Sequence, residues 1–537
     1  MTAGAVSVSL LMVFGVLGLI TAKGMVYFWP GDVLTAQYQA KDGIKTQVIG
    51  EVYDDELVPI QRLRDAGETM AIDSEFVKRL LIKTGNRDIS GSDFRWVIVP
   101  RLSEQTTPAD MVVVERREWG NLYGRVAEVR EKGKRITNDG NIWAVFQKRV
   151  DRVNDIFSSI RVLEKGEIGK INYSLEKLRL AEKRIALTGK SDPDAQAKIN
   201  QQRKSLEAEY KHLEDQLKDL YKQLQRDTYL IEVMGGKVVE QPLAKVVRAF
   251  QPNAMSTLDK LGHYAEKVWE FVSDDPREAN TEGGIFPTIF GTILMVMIMA
   301  VLVTPLGVIA AVYLREYARQ GPLTRTIRIA VNNLAGVPSI VYGIFGLGFF
   351  VYFLGGSLDQ LFYPEALPAP TFGTGGIMWA SLTLALMTLP VVIVSTEEGL
   401  SRVPRAVREG SLALGATKAE TLWRTVLPMA SPAMMTGLIL AVARAAGEVA
   451  PLMLVGVVKL APSMPLDMNA PFLHLERKFM HLGFHIYDVG FQSPNVEAAR
   501  PLVYATALLL VLVIVILNLA AISIRNRLRE KYRSLEH

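Results

Sequence analysis

The stretch REGSLALGATKAETLWRTVLP, Arg408 to Pro428, decides how the 537-residue chain is read. It is charged and broken by a glycine, yet long apolar runs stand on both sides of it. Ala406 to Leu414 suits a short helix, and Gly415 suits its left-handed C-terminal cap. Thr417, Lys418, Ala419 and Glu420 form a Thr-x-x-Glu capping box that starts a second helix. That helix carries Leu422, Trp423 and Val426 before Pro428 stops it or leads into the next apolar run. Two short helices joined at a Gly elbow beside a membrane have two readings. One is a plug for a groove in a soluble partner, the other an interfacial helix that lies on lipid.

The surrounding composition is split. Hydrophobic residues make up 49% of the chain and charged residues 22%, but the apolar ones gather in residues 1–30 and 285–524, leaving a polar segment between. A bilayer core requires about 20 mostly apolar residues per helix. Six runs qualify: Ala5 to Trp29, Ile285 to Leu314, Ala330 to Gly355, Ile377 to Ser395, Met429 to Leu460 and Pro501 to Ile524. The first lacks the basic start and small-residue cleavage site of a signal peptide, so it reads as an anchor. The loops after the second, fourth and sixth runs are rich in Lys and Arg, whereas SLDQLFYPEALPAPTFGTGG after the third has none. The positive-inside rule therefore predicts both termini in the cytoplasm and residues 31–284 outside it. The net charge of +5 comes partly from those basic loops. With no basic stripe interleaved with aromatics, it does not point to nucleic acid. The chain contains no Cys, which excludes disulfides, thiolate metal sites and Cys nucleophiles.

Residues 31–284 form a predicted extracytoplasmic insertion in three parts. Residues 31–150 hold short alternating runs such as KTQVIGEVY and FRWVIVP, read as a small β-rich or α+β unit. In 151–230, Ile171, Leu175, Leu178 and Ile185, then Ile199, Leu206, Tyr210, Leu213, Leu217, Leu220 and Leu224, keep helical seam spacing around the turn TGKSDPD. That pattern predicts an antiparallel helical hairpin with arms of about 30 residues, on the order of 45 Å, serving as a spacer or as a docking site. Residues 231–284 return to the membrane, 285–528 form the membrane core with the 400–428 loop, and 529–537 form a cytoplasmic tail.

Within the opening stretch, Glu409, Gly415 and Leu427-Pro428 match the spacing of the EAA motif of ABC importer permeases. Gly410 and Ser411 stand where that motif has Ala-Ala, and Thr425 where it usually has Ile. With PLGVIAAVYLREYA, LAGVPSIVYGIFGLGFF and ARAAGEVAPL, the region from Ile285 to Ile524 resembles the permease subunit of the phosphate ABC importer, A type (PstA type), in a long form with a large extracytoplasmic insertion. The resemblance implies an all-α integral membrane permease of type I ABC importer fold with six transmembrane helices, here carrying an α+β insertion. It also implies a C-type permease partner in a heterodimer, two ATPase copies and a periplasmic phosphate-binding protein, in a bacterial inner membrane. The coupling residues carried over are Glu409, Gly410, Ser411, Gly415, Ala416, Thr417 and Glu420.

No Gly-x4-Gly-Lys-Ser/Thr loop is present, since TGKS at Thr188 lacks the upstream Gly. ATP and Mg are therefore expected on the partner ATPase, with no cofactor and no enzymatic site on this chain. Arg444 and Glu448 lie within the fifth run, four residues apart and so on one helical face. A charge near the bilayer centre costs at least about 2.5–3.5 kcal/mol, so such groups usually face a path or each other. Arg444 is expected to hold phosphate through paired hydrogen bonds, with Glu448 orienting it and easing release; mutual pairing alone is the structural alternative. His474, His481 and His485 show no third ligand at metal spacing. Rival readings are a permease for another oxyanion and a non-transporting membrane sensor or scaffold.

Overall fold

The computed structural model describes residues 2–40, 43–65, 75–85, 87–136, 141–189, 193–277, 280–493 and 496–533. The chain forms two units. One comprises Met1–Tyr27, Val272–Thr281 and Ile285–His537; the other comprises Phe28–Phe271 with Glu282–Gly284.

In the first unit, six helices among the described residues are long and apolar enough to cross a membrane: Gly4–Val26, Phe286–Tyr317, Ser339–Phe362, Ile377–Arg402, Lys418–Gly447 and Ala499–Glu530. The fourth, Ile377–Arg402, is the most enclosed, with Leu384, Ala385, Met387 and Val392 buried in the central apolar cluster. Small residues let its neighbours approach closely, as membrane helices require where apolar side chains gain nothing by leaving lipid. A Cβ added at Gly307 on the second helix would meet Val392 at 2.6 Å, and one at Gly399 would meet Ala433 of the fifth helix at 2.7 Å. Three buried hydroxyls on the fourth helix find backbone acceptors: Ser381 donates to the Met295 carbonyl at 3.2 Å, while Thr383 and Thr388 donate to carbonyls of their own helix. The first helix packs against the last at Gly24, where an added Cβ would lie 3.0 Å from the Tyr504 carbonyl.

Two of the six runs differ from the sequence expectation. The third, Ala330 to Gly355, is divided: an amphipathic helix Pro322–Leu334 ends before Gly336, and the span proper starts at Ser339. Pro338 explains the division, because it lacks an N–H and biases Val337 away from helical geometry. The fifth run, Met429 to Leu460, is also divided. Its helix Leu427–Gly447 stops, Glu448 is extended, and a short helix Ala450–Val455 follows.

The second unit is built on two antiparallel sheets. Strands β1 (Val33–Gln39), β2 (Lys45–Pro59), β3 (Phe76–Lys83), β4 (Phe94–Ile98) and β5 (Leu102–Thr106) form one, in the order β4-β3-β2-β1-β5. The other combines β6 (Val112–Arg116), β7 (Leu122–Glu131), β8 (Lys134–Arg135), β9 (Asp227–Val233), β10 (Lys237–Pro242) and β11 (Val246–Phe250), in the order β10-β9-β7-β6-β11, with β8 paired to β7. Val33, Ile49, Met111, Val113 and Tyr123 form a buried cluster shared by the two sheets.

The hairpin is thus an insertion within the second sheet. Its ascending arm runs from Ile142–Val162 through a π-helical turn, Leu163–Ile168, into Gly169–Thr188, and its return arm is the 32-residue helix Pro193–Leu224. The ascending arm exceeds the expected length because its first turns serve the sheet. Phe146, Val150 and Val153 pack on Val112, Val114, Tyr229 and Ile231, each fully buried large side chain contributing roughly 1.5–3 kcal/mol. The boundary expected at residue 150 therefore falls inside a helix, and β9 to β11, expected as a return segment, complete the sheet. Asp227, fully buried, ties the hairpin's two feet together, with Arg152 at 3.1 Å and Arg226 at 2.8 Å. Along the arms, Ile171, Ile199, Leu213 and Leu224 of the expected seam are buried. Gln196 donates to Glu182 at 2.9 Å and Tyr221 to Glu164 at 2.8 Å. The expected turn at Thr188 to Asp194 lies partly outside the described residues, but Gly189 does adopt a left-handed φ of 66°.

The short helix Ala450–Val455 is seated against glycines of the third span. A Cβ at Gly343 would meet Pro451 Cα at 2.7 Å and Leu454 Cδ1 at 3.1 Å, whereas Gly348 has open space. Overpacking of this kind costs about 1–3 kcal/mol. Gly343→Val is expected to lower the thermal unfolding midpoint of the purified protein in detergent, with Gly348→Val unchanged. Equal midpoints for the two would show that the seat is not close-packed.

Candidate functional site

The elbow is assembled much as its residues dictate. The first helix is Arg405–Ala413, ending one residue earlier than expected, and Gly415 has φ 87°. The Gly415 N–H donates to Leu412 O at 2.9 Å and the Ala416 N–H to Ser411 O at 3.3 Å, so carbonyls at the helix end are satisfied. The capping box is present in full: the Thr417 hydroxyl accepts from the Glu420 N–H, and the Glu420 carboxylate accepts from the Thr417 N–H at 2.9 Å. The short helix Lys418–Thr421 then passes through the π-helical turn Leu422–Val426 directly into Leu427–Gly447. Pro428 thus leads into the next span, immediately after the π-helical turn and inside the continuous helix Lys418–Gly447.

Ser411 and Thr421 hydroxyls lie 2.9 Å apart and join the two limbs. Leu422 and Val426 are buried with Leu400, Val403 and Ala430, which fixes the second limb to the fourth and fifth membrane helices. Leu412, Leu414 and Trp423 remain exposed, Leu414 at 91% and Trp423 at 73%. Glu409, Gly410 and Glu420 are exposed as well. An apolar ridge flanked by charge is thus presented on a braced support.

The brace includes a residue that sequence reasoning missed. Glu316, at the end of the second membrane helix, pairs with Arg408, and its carbonyl accepts from Lys418. Both limbs of the elbow are therefore tied to one point. Lone Glu316 in the basic segment LREYARQG was the available signal. Nearby, Arg328 of the amphipathic helix pairs with Glu397 at 3.3 Å, and Glu398 pairs with Arg402 one turn on.

At the other end of the fifth helix the structure corrects the expected geometry. Arg444 and Glu448 do not share the face of a continuous helix, since Arg444 is in the last turn and Glu448 lies beyond it, with φ −79° and ψ 139°. The break follows from Pro451, which cannot donate to the carbonyl of Gly447 four residues earlier and would collide with it. Gly447 adds its own helix-weakening cost. The Arg444 Nε stands 3.8 Å from the Glu448 carboxylate, with about a third of its side chain exposed. At that separation the charges attract without sharing a hydrogen bond, so the guanidinium donors are not consumed by Glu448. Arg444 also belongs to the last turn of its helix, the end at which positive charge is favoured. Tyr342 of the third span lies within electrostatic reach of Arg444, and its hydroxyl donates to the Leu334 carbonyl at 2.6 Å.

Beyond the short helix, Gly456 has φ 152°, and the Gly376 N–H donates to the Val455 carbonyl at 3.0 Å, closing the interrupted segment. His481 and His485 are buried; the Nδ1 of His481 accepts from the Gly483 N–H at 3.1 Å, and His474 lies between Asp467 and Glu476.

Residues 303–534 match the family model described as binding-protein-dependent transport system inner membrane component. The chain is 37% identical over 245 residues to "Phosphate transport system permease protein PstA 1" of Mycobacterium tuberculosis, covering 45% of this chain and 71% of that protein. It is 30% identical over 260 residues to "Probable ABC transporter permease protein YqgI" of Bacillus subtilis, covering 47% and 81%. Among solved structures, an inward-facing MetNI methionine ABC transporter overlaps 51% of this chain and 99% of its own, at 18% identity and a TM-score of 0.33.

Removing the capping hydroxyl isolates its share in holding the elbow. Thr417→Ala is expected to cost about 1 kcal/mol locally, or about a fivefold rise in local opening. Faster amide hydrogen exchange across 418–422, with exchange in the hairpin unchanged, is the expected readout. Unaltered exchange there would show that the Glu316 brace holds the elbow without the cap.

Proposed function

From the premise that this chain belongs to the binding-protein-dependent ABC transport permeases, as a PstA-type member with the type I importer fold, we propose that it forms half of the path by which inorganic phosphate is imported. The observation that carries this reading is Arg444 at the interruption of a membrane helix, its donors not consumed by Glu448. The relatives' printed names supply phosphate as the substrate. A guanidinium suits a tetrahedral oxyanion because two parallel N–H groups match two oxygens. Glu448, held at 3.8 Å, lowers the local positive potential and accepts a hydrogen bond from a phosphate hydroxyl. The site then holds the anion loosely enough to release it, as conduction requires.

The elbow between Arg405 and Pro428 is the proposed coupling element. Glu409, Gly410, Ser411, Gly415, Ala416, Thr417 and Glu420 would meet an ATPase subunit carrying ATP and Mg, and Leu412, Leu414 and Trp423 would fill its groove. Movement would pass through Leu422 and Val426 into the fifth helix and along it to Arg444. The assembly would comprise this chain, a C-type permease, two ATPase copies and a periplasmic phosphate-binding protein in a bacterial inner membrane. The termini would be cytoplasmic and residues 31–284 periplasmic.

Radiolabelled phosphate uptake by the reconstituted complex tests the path. Losing hydrogen bonds to a charged partner costs about 1.5–3 kcal/mol, so Arg444→Ala should cut uptake about tenfold or more, and Arg444→Lys should keep an intermediate rate. Normal uptake in both, with intact assembly, would reject the role of Arg444, and stronger competition by sulfate or molybdate than by phosphate would reject the substrate. Coupling is tested separately. Glu409→Lys reverses the charge at the docking face, and Gly415→Pro cannot adopt the required positive φ. Both should insert normally yet lose ATP-driven uptake, and retention of uptake in both would remove the elbow from the mechanism.

A further inference from the structure

The helix Thr257–Ser273 carries a face that nothing in its own unit covers. Leu258, Leu261, Gly262, Ala265 and Trp269 are exposed along one side of it, with Leu258 at 79%, Leu261 at 50% and Trp269 at 72%. Their spacing of three or four residues, with half-buried Val268 and Val272 alongside, makes one stripe without a charged residue. At 1.5 Å per residue it runs about 17 Å from Leu258 to Trp269.

The opposite side is anchored to the second sheet. The Phe250 and His263 rings lie 4.3 Å apart, Arg248 pairs with Glu266 at 3.0 Å, and Lys267 pairs with Glu115 at 2.9 Å. Burial alone would pull the Lys267 ammonium down, but Glu115 and Glu270 beside it hold its pKa above the ordinary value. The helix is therefore rigidly presented, and its outward stripe is a fixed feature.

Chain continuity says what covers that stripe. Phe28 follows Val26, the last residue of the first membrane helix, by two positions, a reach of at most about 7 Å. The Phe28 ring contacts Tyr264 at 6.1 Å and Phe271 at 5.2 Å, and Trp29 contacts Tyr264 at 6.2 Å, all on this helix. Tyr and Trp at the end of a membrane helix mark the headgroup level. We propose that Thr257–Ser273 is an interfacial helix whose Leu258–Leu261–Ala265–Trp269 stripe is sunk into the leaflet facing the inserted domain. A helix lying in this plane buries its apolar side about 5–10 Å into the boundary between headgroups and acyl chains. It would fix the height and tilt of the two sheets and the hairpin above the membrane.

The absence of Cys from the chain makes the test direct. Single nitroxide labels at Leu258→Cys, Leu261→Cys and Ala265→Cys are introduced into the full chain in phosphatidylethanolamine/phosphatidylglycerol vesicles. Their collision rates with oxygen, which partitions into lipid, are compared with those of a water-soluble nickel chelate. Leu11→Cys, on the exposed face of the first membrane helix, is the lipid reference, and Glu207→Cys on the hairpin is the water reference. The expected result is oxygen access exceeding nickel access at all three positions, as at Leu11 and in the reverse order to Glu207. Nickel access equal to that of Glu207 would overturn the proposal by leaving the stripe in water. Low access to both reagents would overturn it by assigning the stripe to a protein partner.

Discussion

A helix inside a bilayer can be interrupted only where protein encloses the freed backbone groups, because hydrocarbon offers them nothing. The interruption at Glu448 is the feature around which the membrane unit is organised. The short helix Ala450–Val455 has to be wrapped by close-packed neighbours, and Gly343, Gly346 and Gly375 are where the chain approaches it within contact distance. The bond from the Gly376 N–H to the Val455 carbonyl closes the far end. Given that enclosure, Arg444 and Glu448 can stand at the break at bearable cost, since a charge facing protein and the carbonyls of a helix end is far less penalised than one facing lipid.

The inserted domain meets a different constraint with the same logic of continuity. A long hairpin leaving a sheet exerts leverage on its root, and the root helix Ile142–Val162 buries Phe146, Val150, Val153 and Ile160. Phe146, Val150 and Val153 cover the sheet, and the buried Asp227 carboxylate joins cations from both feet of the hairpin. Truncating that carboxylate would remove the charge that joins Arg152 to Arg226, while Arg226 would keep Glu131 at 3.1 Å. The distal arms rely instead on a thin seam, where Ile171 and Ile199 are among the few buried side chains.

Local chemistry was legible in the sequence, and long-range pairing was not. The elbow's Gly415 and its Thr417–Glu420 box are read from adjacent residues, and the structure contains both. Runs of apolar residues gave the number of spans for the same reason. The break at Glu448 was obscured because Arg444 and Glu448 are the only charged residues between Met429 and Val458, so hydropathy stays high across the gap; Gly447 and Pro451 were the marks it left. The pairing of β7 with β9 leaves no local trace, since the entire hairpin intervenes between the two strands. The tie between Glu316 and Arg408, 92 positions apart, is hidden in the same way.

The two glycines of the elbow show how the reason for a residue separates what the chain asks of itself from what it asks of its surroundings. Gly415 is required from within, because its φ of 87° is a conformation other residues adopt only under strain. Gly410 has no such requirement: it sits in an ordinary helical turn, and an added Cβ there would meet nothing within 4 Å. Replacing it with a larger residue would cost this chain little and would even favour the helix. Nothing inside this chain requires its smallness, and the proposed docking of another protein on the exposed elbow would. That asymmetry supports an elbow shaped against another protein more than one resting on lipid, whose fluid chains accommodate side chains of any size.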